Sequence, residues 1–174
     1  MTRGMKIAVS IVLLLAYSDA AAGGGKKNLK RFLSPDKTLV ASILSIQSGA
    51  GTESKIELRT SSGTPVGGKS FMSKDHAHGF GVMKAAWTLD SRFFIFSTIG
   101  SGGHEAGHFP TFYYSRDDNK IHFLEPIVGG QIADPDFEIG YPDSVSILVA
   151  NSVTTGRGQT AIPRTVALGG PEAK

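Results

Sequence analysis

Thr88-Leu89-Asp90-Ser91-Arg92-Phe93-Phe94-Ile95-Phe96-Ser97-Thr98-Ile99 couples a turn signal to a run of branched and aromatic side chains. An aspartate in such a turn bonds nearby backbone, and a proline, where present, presets φ for the second turn position. The run that follows suits a pleated, partly buried strand. The same arrangement stands at Ser34-Pro35-Asp36-Lys37 before Thr38 to Ile46, and at Tyr141-Pro142-Asp143-Ser144 before Val145 to Val153. The three aspartates are 54 and then 53 residues apart. Such near-constant spacing is the mark of an internal repeat.

A Gly/Ser/Thr-rich loop follows each run, and a second run then opens at Ile56 to Thr60, Thr111 to Tyr114 and Arg164 to Leu168. Ile56-Glu57-Leu58-Arg59 alternates apolar and polar residues, as a strand with one face in a core does. Further turns at Ser61-Ser62-Gly63 and Asp117-Asp118-Asn119 lead to short runs ending in Pro65-Val66-Gly67-Gly68 and Ile127-Val128-Gly129-Gly130. The pattern predicts a single all-β domain over residues 32–170, built from three antiparallel four-stranded meander units at about 32–72, 80–130 and 137–170. An open or partial propeller-like arrangement is expected, with a β-sandwich as the alternative. Residues 171–174 read as a tail.

Composition agrees with this class. The chain has 174 residues, 40% hydrophobic and 19% charged, enough for one globular domain with a sizeable core. Its 22 glycines and 8 prolines point to many turns between short elements. The absence of cysteine excludes disulfides and thiolate metal sites. The net charge of +3 is spread along the chain apart from Lys26, Lys27, Lys30 and Arg31, so there is no basic stripe of the kind that nucleic acid requires. Residues 1–22 have the layout of a secretory signal. Arg3 and Lys6 form the positive region, Ile7 to Tyr17 an apolar run, and Ala20-Ala21-Ala22 a small-residue cleavage site. Eleven apolar residues are too few to cross a bilayer, which needs about 20. Export, to the periplasm or outside the cell, with no transmembrane span in the mature chain is therefore expected. Residues 23–31 read as a basic, flexible N-terminal segment.

The repeated units resemble the WD40-like repeats of TolB-type periplasmic β-propellers. In that family a strand ends in an aromatic residue and a Ser-Pro-Asp-Gly turn before an apolar strand. Trp87 with Leu89-Asp90, and Ser34-Pro35-Asp36, are the matching residues here. No unit has glycine at the fourth turn position, Leu89 replaces the proline of the middle turn, and there are three units where closed propellers use four to eight blades. The resemblance implies a scaffold for binding partners and carries no catalytic residue across.

Three strings bear on chemistry. His104-Glu105-Ala106-Gly107-His108 matches the H-E-x-x-H of zinc proteases, in which both histidines sit one helical turn apart and the glutamate activates a water. Gly100, Gly102, Gly103, Gly107 and Pro110 argue against a helix there, so the zinc hydrolase reading is disfavoured. Topology points to a metal site that needs no helix. In a meander the loop after the second strand and the loop leading into the next unit emerge at one end of the sheet, which brings His104 and His108 towards Asp75-His76-Ala77-His78. His76, His78, His104 and His108, with Asp75 and Glu105, are candidate ligands for zinc, nickel or copper. His122, inside a strand-like run, is assigned a structural role. Asp134-Pro135-Asp136-Phe137-Glu138 reads as a solvated linker rather than a calcium loop. Phe93, Phe94, Phe96, Phe112, Tyr113 and Tyr114 are mostly core, with any remainder facing a partner. No nucleophile elbow, P-loop or dinucleotide fingerprint is found.

The expectation is an exported, non-enzymatic binding module on a β scaffold, meeting a protein or cell-envelope partner. A metal-binding protein using the histidine cluster and a structural, homo-oligomeric subunit of an envelope assembly are the alternatives.

Overall fold

The computed structural model describes residues 25–48, 51–102, 107–151 and 160–169. They form three antiparallel meander sheets, none of them closed into a barrel. The first contains β1 (Lys26–Leu33), β2 (Leu39–Ser48), β3 (Gly51–Thr60) and β4 (Pro65–Ser70) in that order. The second contains β5 (Phe80–Trp87), β6 (Phe93–Gly100), β7 (Thr111–Ser115) and β8 (Lys120–Phe123). After a helical turn α1 (Glu125–Val128), the third sheet has β9 (Ile132–Gly140), β10 (Ser144–Ala150) and β11 (Ala161–Ala167). Among the described residues no helix is long and apolar enough to cross a membrane.

The strand β6 explains how the sheets stack. Six of its side chains in a row are buried, so along this strand neither face of the middle sheet meets water. Phe93 and Ile95, with Tyr113 of β7, pack against Ile132, Phe137, Val145, Ile147 and Val149 of the third sheet. Phe94 and Phe96, with Tyr114, pack against Leu39, Ala41, Ile43, Ile56 and Leu58 of the first. Strand alternation thus sends consecutive aromatics into two separate cores. The outer sheets are apolar on one face only, as the in-and-out burial along β10 records. The result is three layers, where a sandwich has two.

Several expected boundaries move. The basic residues 26–31, expected to be flexible, lie in β1 and pair with β2 from Lys26↔Gln47 to Leu33↔Val40. Ile127-Val128-Gly129-Gly130 was expected to close a fourth strand, but Val128 ends α1. Gly129 caps that turn at φ 74°, its N–H donating to the Glu125 carbonyl. The third sheet has three strands among the described residues, where four were expected. The supposed linker Asp134-Pro135-Asp136-Phe137-Glu138 is inside β9, with Phe137 buried and Asp136 paired to Lys84 at 3.3 Å.

The aspartate turns line up at one end of the stack. In the first, Ser34 Oγ donates to Asp36 Oδ1 (2.6 Å), the Thr38 N–H donates to the same oxygen (3.1 Å), and the Leu39 N–H donates to Ser34 Oγ (3.0 Å). The middle turn repeats every bond with Thr88, Asp90, Arg92 and Phe93, at 2.6, 3.0 and 3.0 Å. Lys37 and Ser91 hold the fourth position at φ 62° and 65°, the left-handed region that glycine fills most readily. Salt bridges then join neighbouring turns. Arg116 pairs with Asp36 at 2.6 Å, and Arg92 pairs with Asp117 and lies 3.8 Å from Asp143. Asp143 serves its own turn differently, accepting the Gly169 N–H at 3.1 Å.

Candidate functional site

The opposite end carries longer loops. Residues 71–79 lead from the first sheet into β5, and the chain from Ser101 leaves β6 beside them, its N–H donating to the Gly79 carbonyl at 2.8 Å. This adjacency of the two loops is what a meander requires.

Glu53, at the start of β3, ties them together. Its side chain is 1% exposed. Oε2 accepts the Ser73 N–H (2.9 Å), while Oε1 accepts the Gly79 N–H (2.6 Å) and the hydroxyls of Ser73 (2.7 Å) and Ser101 (3.1 Å). His76 Nδ1 lies 3.4 Å from Oε2. Burial by itself would raise this carboxyl, but the donors from Ser73, Gly79 and Ser101 outweigh it and hold the pKa at about 2. Gly79 is demanded by close approach, since a Cβ there would sit 2.6 Å from the Glu53 carboxyl carbon.

The loop itself is a third copy of the aspartate turn. Ser73 Oγ donates to Asp75 Oδ1 (2.8 Å), the Ala77 N–H donates to Asp75 Oδ1 (3.1 Å), the His78 N–H donates to Ser73 Oγ (3.1 Å), and His76 is left-handed at φ 54°. One bond differs. Ser34 and Thr88 send their N–H to the carbonyls of Leu39 and Phe93, closing a hairpin, whereas Ser73 sends its N–H to Glu53. The single Ser73 hydroxyl hydrogen faces two carboxylates, so at any moment one of them relies on its other donors. Asp75 keeps the Ala77 N–H and the His78 ring, and with Ser73 they bring its pKa to about 2.

Each described histidine meets an acid. His78 Nδ1 is 2.7 Å from Asp75 Oδ2, His108 Nε2 is 2.6 Å from Glu125 Oε1, and His122 Nε2 is 2.9 Å from Asp118 Oδ2. His122 is in β8, stacked on Tyr113 with ring centroids 5.2 Å apart. His108 belongs with the third sheet, because Glu125 also accepts the Ile132 N–H and Phe109 donates to the Ile132 carbonyl. His76 and His78 instead sit against the first sheet through Glu53 and Ser73. His104 and Glu105 lie outside the described residues. Among the described residues no group of three or more His, Asp or Glu side chains is arranged to hold a metal ion.

A cleft of about 340 Å³ opens beside this loop. Phe71, Phe80, Phe112, Met72 and Pro110 supply its apolar lining, and Lys69, Ser70, Ser73 and His78 its polar part. Of the six aromatics on β6 and β7, Phe112 is the one that lines it, the others being committed to the two cores. Sequence reasoning singled out Asp75 and His78 but passed over Glu53, Ser73, Gly79 and Ser101. The local signal for the loop was present, since Ser73-Lys74-Asp75-His76 repeats Ser34-Pro35-Asp36-Lys37 with a histidine at the left-handed position. Nothing local marks Glu53, whose partners are 20 to 48 residues away.

Comparison of the chain with protein-family models, curated proteins and solved structures finds no match.

Proposed function

We propose that the chain is an exported, non-enzymatic binding module that offers the loop end of its sheet stack to a protein or cell-envelope partner. The cleft beside residues 71–79 carries this reading. It is concave and aromatic, and it is bounded by a loop that a buried carboxylate holds in place, the combination of rigid support and accessible apolar surface that binding sites use. At the turn end the polar groups are spent on one another. A photo-crosslinking residue in place of Met72, which lines the cleft, is expected to trap a partner in intact cells, while the same residue in place of Leu89, exposed at the turn end, traps none. Adducts at Leu89 alone, or at neither position, would overturn the reading.

Metal binding is the second reading. It is favoured by His78, because metal-binding imidazoles characteristically have their other nitrogen fixed by a carboxylate, as Asp75 fixes Nδ1 here. Calorimetric titration with zinc, nickel and copper decides it. Stoichiometric binding that is lost in a folded His76→Ala/His78→Ala variant supports the reading, and equal weak binding by both proteins retires it.

A further inference from the structure

We infer that the cleft takes a small apolar carboxylate, with Lys69 as its counter-ion. The inference rests on the binding reading and names the ligand chemistry of that same site.

The charge of the lining points to an anion. Among the described residues no carboxylate lines the cleft. Glu53, directly behind Ser73 and Gly79, is sealed by four hydrogen bonds, and Asp75 is committed to His78 and its own turn. Among the described residues Lys69 is therefore the one fixed charge a ligand meets. Its ammonium lies 4.6 Å from the ring centroid of Phe112 and 5.1 Å from that of Phe71, and it forms no ion pair among the described residues. Aromatic faces hold a cation without neutralising it. A carboxylate arriving at Lys69 supplies the missing opposite charge at the edge of an apolar wall. The aromatic floor then takes the rest of the molecule, since Phe71 and Phe112 are in contact at 5.1 Å between centroids and Phe80 and Pro110 extend the apolar surface.

Size narrows the class. Ligand clefts run from about 300 to 1,000 Å³, and 340 Å³ is at the small end. That is room for one ring or branched chain with a short acid arm. One lysine suits a monoanion better than a phosphate-rich ligand, for which several cations or a backbone amide nest would be needed.

The probes are 3-phenylpropionate, its neutral amide 3-phenylpropanamide and the cation 2-phenylethylamine, each titrated into the full chain and followed by backbone amide chemical shifts. The acid is expected to shift Phe71 to Gly79 and Phe112, with a dissociation constant on the order of 1 mM or below, as fits a fragment of about a dozen heavy atoms. The amide and the amine should bind at least about tenfold more weakly. Lys69→Gln should bring the acid down to the level of the amide, and Lys69→Arg should retain most of the binding; both are surface changes whose folding the same spectra report. Equal binding of acid and amide, an unchanged affinity in Lys69→Gln, or shifts confined to other surfaces would overturn the carboxylate inference. If that happens while Met72 still traps a partner, the binding reading stands alone. If none of the three probes binds and Met72 traps nothing, both fall.

Discussion

The two ends of the sheet stack use one hydrogen-bonding device for different purposes. At the turn end, Ser34 to Leu39 and Thr88 to Phe93 fold a hydroxyl, an aspartate and a left-handed fourth residue into a hairpin whose closing bonds are local. At the loop end, Ser73 to His78 builds the same set of bonds, yet the N–H that should close the hairpin is captured by Glu53 from another strand. Local closure makes a turn that links two strands of one sheet, and longer bonds such as Asp36 N–H to Ser91 Oγ then join one turn to the next. Capture by a distant carboxylate instead pins a loop over the junction between two sheets, and a cleft forms at its side. The turn end is therefore a clamp, and the loop end is where surface remains to be used.

The sharpest test of this contrast removes the carboxylate. Glu53→Leu leaves the Ser73 and Gly79 N–H groups and the Ser101 hydroxyl buried without their acceptor, and is expected to destabilise the fold by roughly 3 kcal/mol. Asp90→Ala at the turn end, where water can replace much of what is lost, should cost about 1 kcal/mol. Urea unfolding of both variants measures the difference, and equal losses would erase the distinction between the two ends.

Acid probes the same carboxylate without mutation. The pKa of Glu53 is held at about 2 in the folded chain against an ordinary value of 4.5. The unfolded chain thus takes up this proton first, and the stabilisation, complete above pH 4.5, is lost as the pH falls towards 2. Unfolding midpoints measured down this range should drop, and the drop should be shallower in Glu53→Gln. Asp75, also held at about 2, leaves a residual slope in the variant. An identical slope in both proteins would mean that the loop end does not depend on Glu53.

The smallest effect sharpens the turn end. Lys37 is exposed and left-handed, so Lys37→Gly should relieve backbone strain and stabilise by a few tenths of a kcal/mol, up to about 1. Ser91→Gly should gain less, because Ser91 Oγ accepts the Asp36 N–H at 2.9 Å. Equal gains would show that this bond between turns contributes nothing.

What was legible in the sequence was most of what is set by neighbours along the chain, the helical turn α1 excepted. The spacing of Asp36, Asp90 and Asp143 exposed three meander units. The runs around Ile43, Ile95 and Ile147 became β2, β6 and β10, and Ile56 to Thr60 fell within β3. Strand period and turn chemistry act over two to six residues, so a linear string records them. The basic stretch at Lys26 to Arg31 misled because an edge strand carries charge freely, and charge alone does not separate it from an unstructured tail. Tertiary structure alone decided which aromatic faces which core, that His108 joins Glu125 while His76 and His78 join the first sheet, and that Glu53 is the hub of the loop end. A buried carboxylate is stable only where several donors converge on it. Those donors come from Ser73, Gly79 and Ser101, which adjoin Glu53 only once two sheets have stacked.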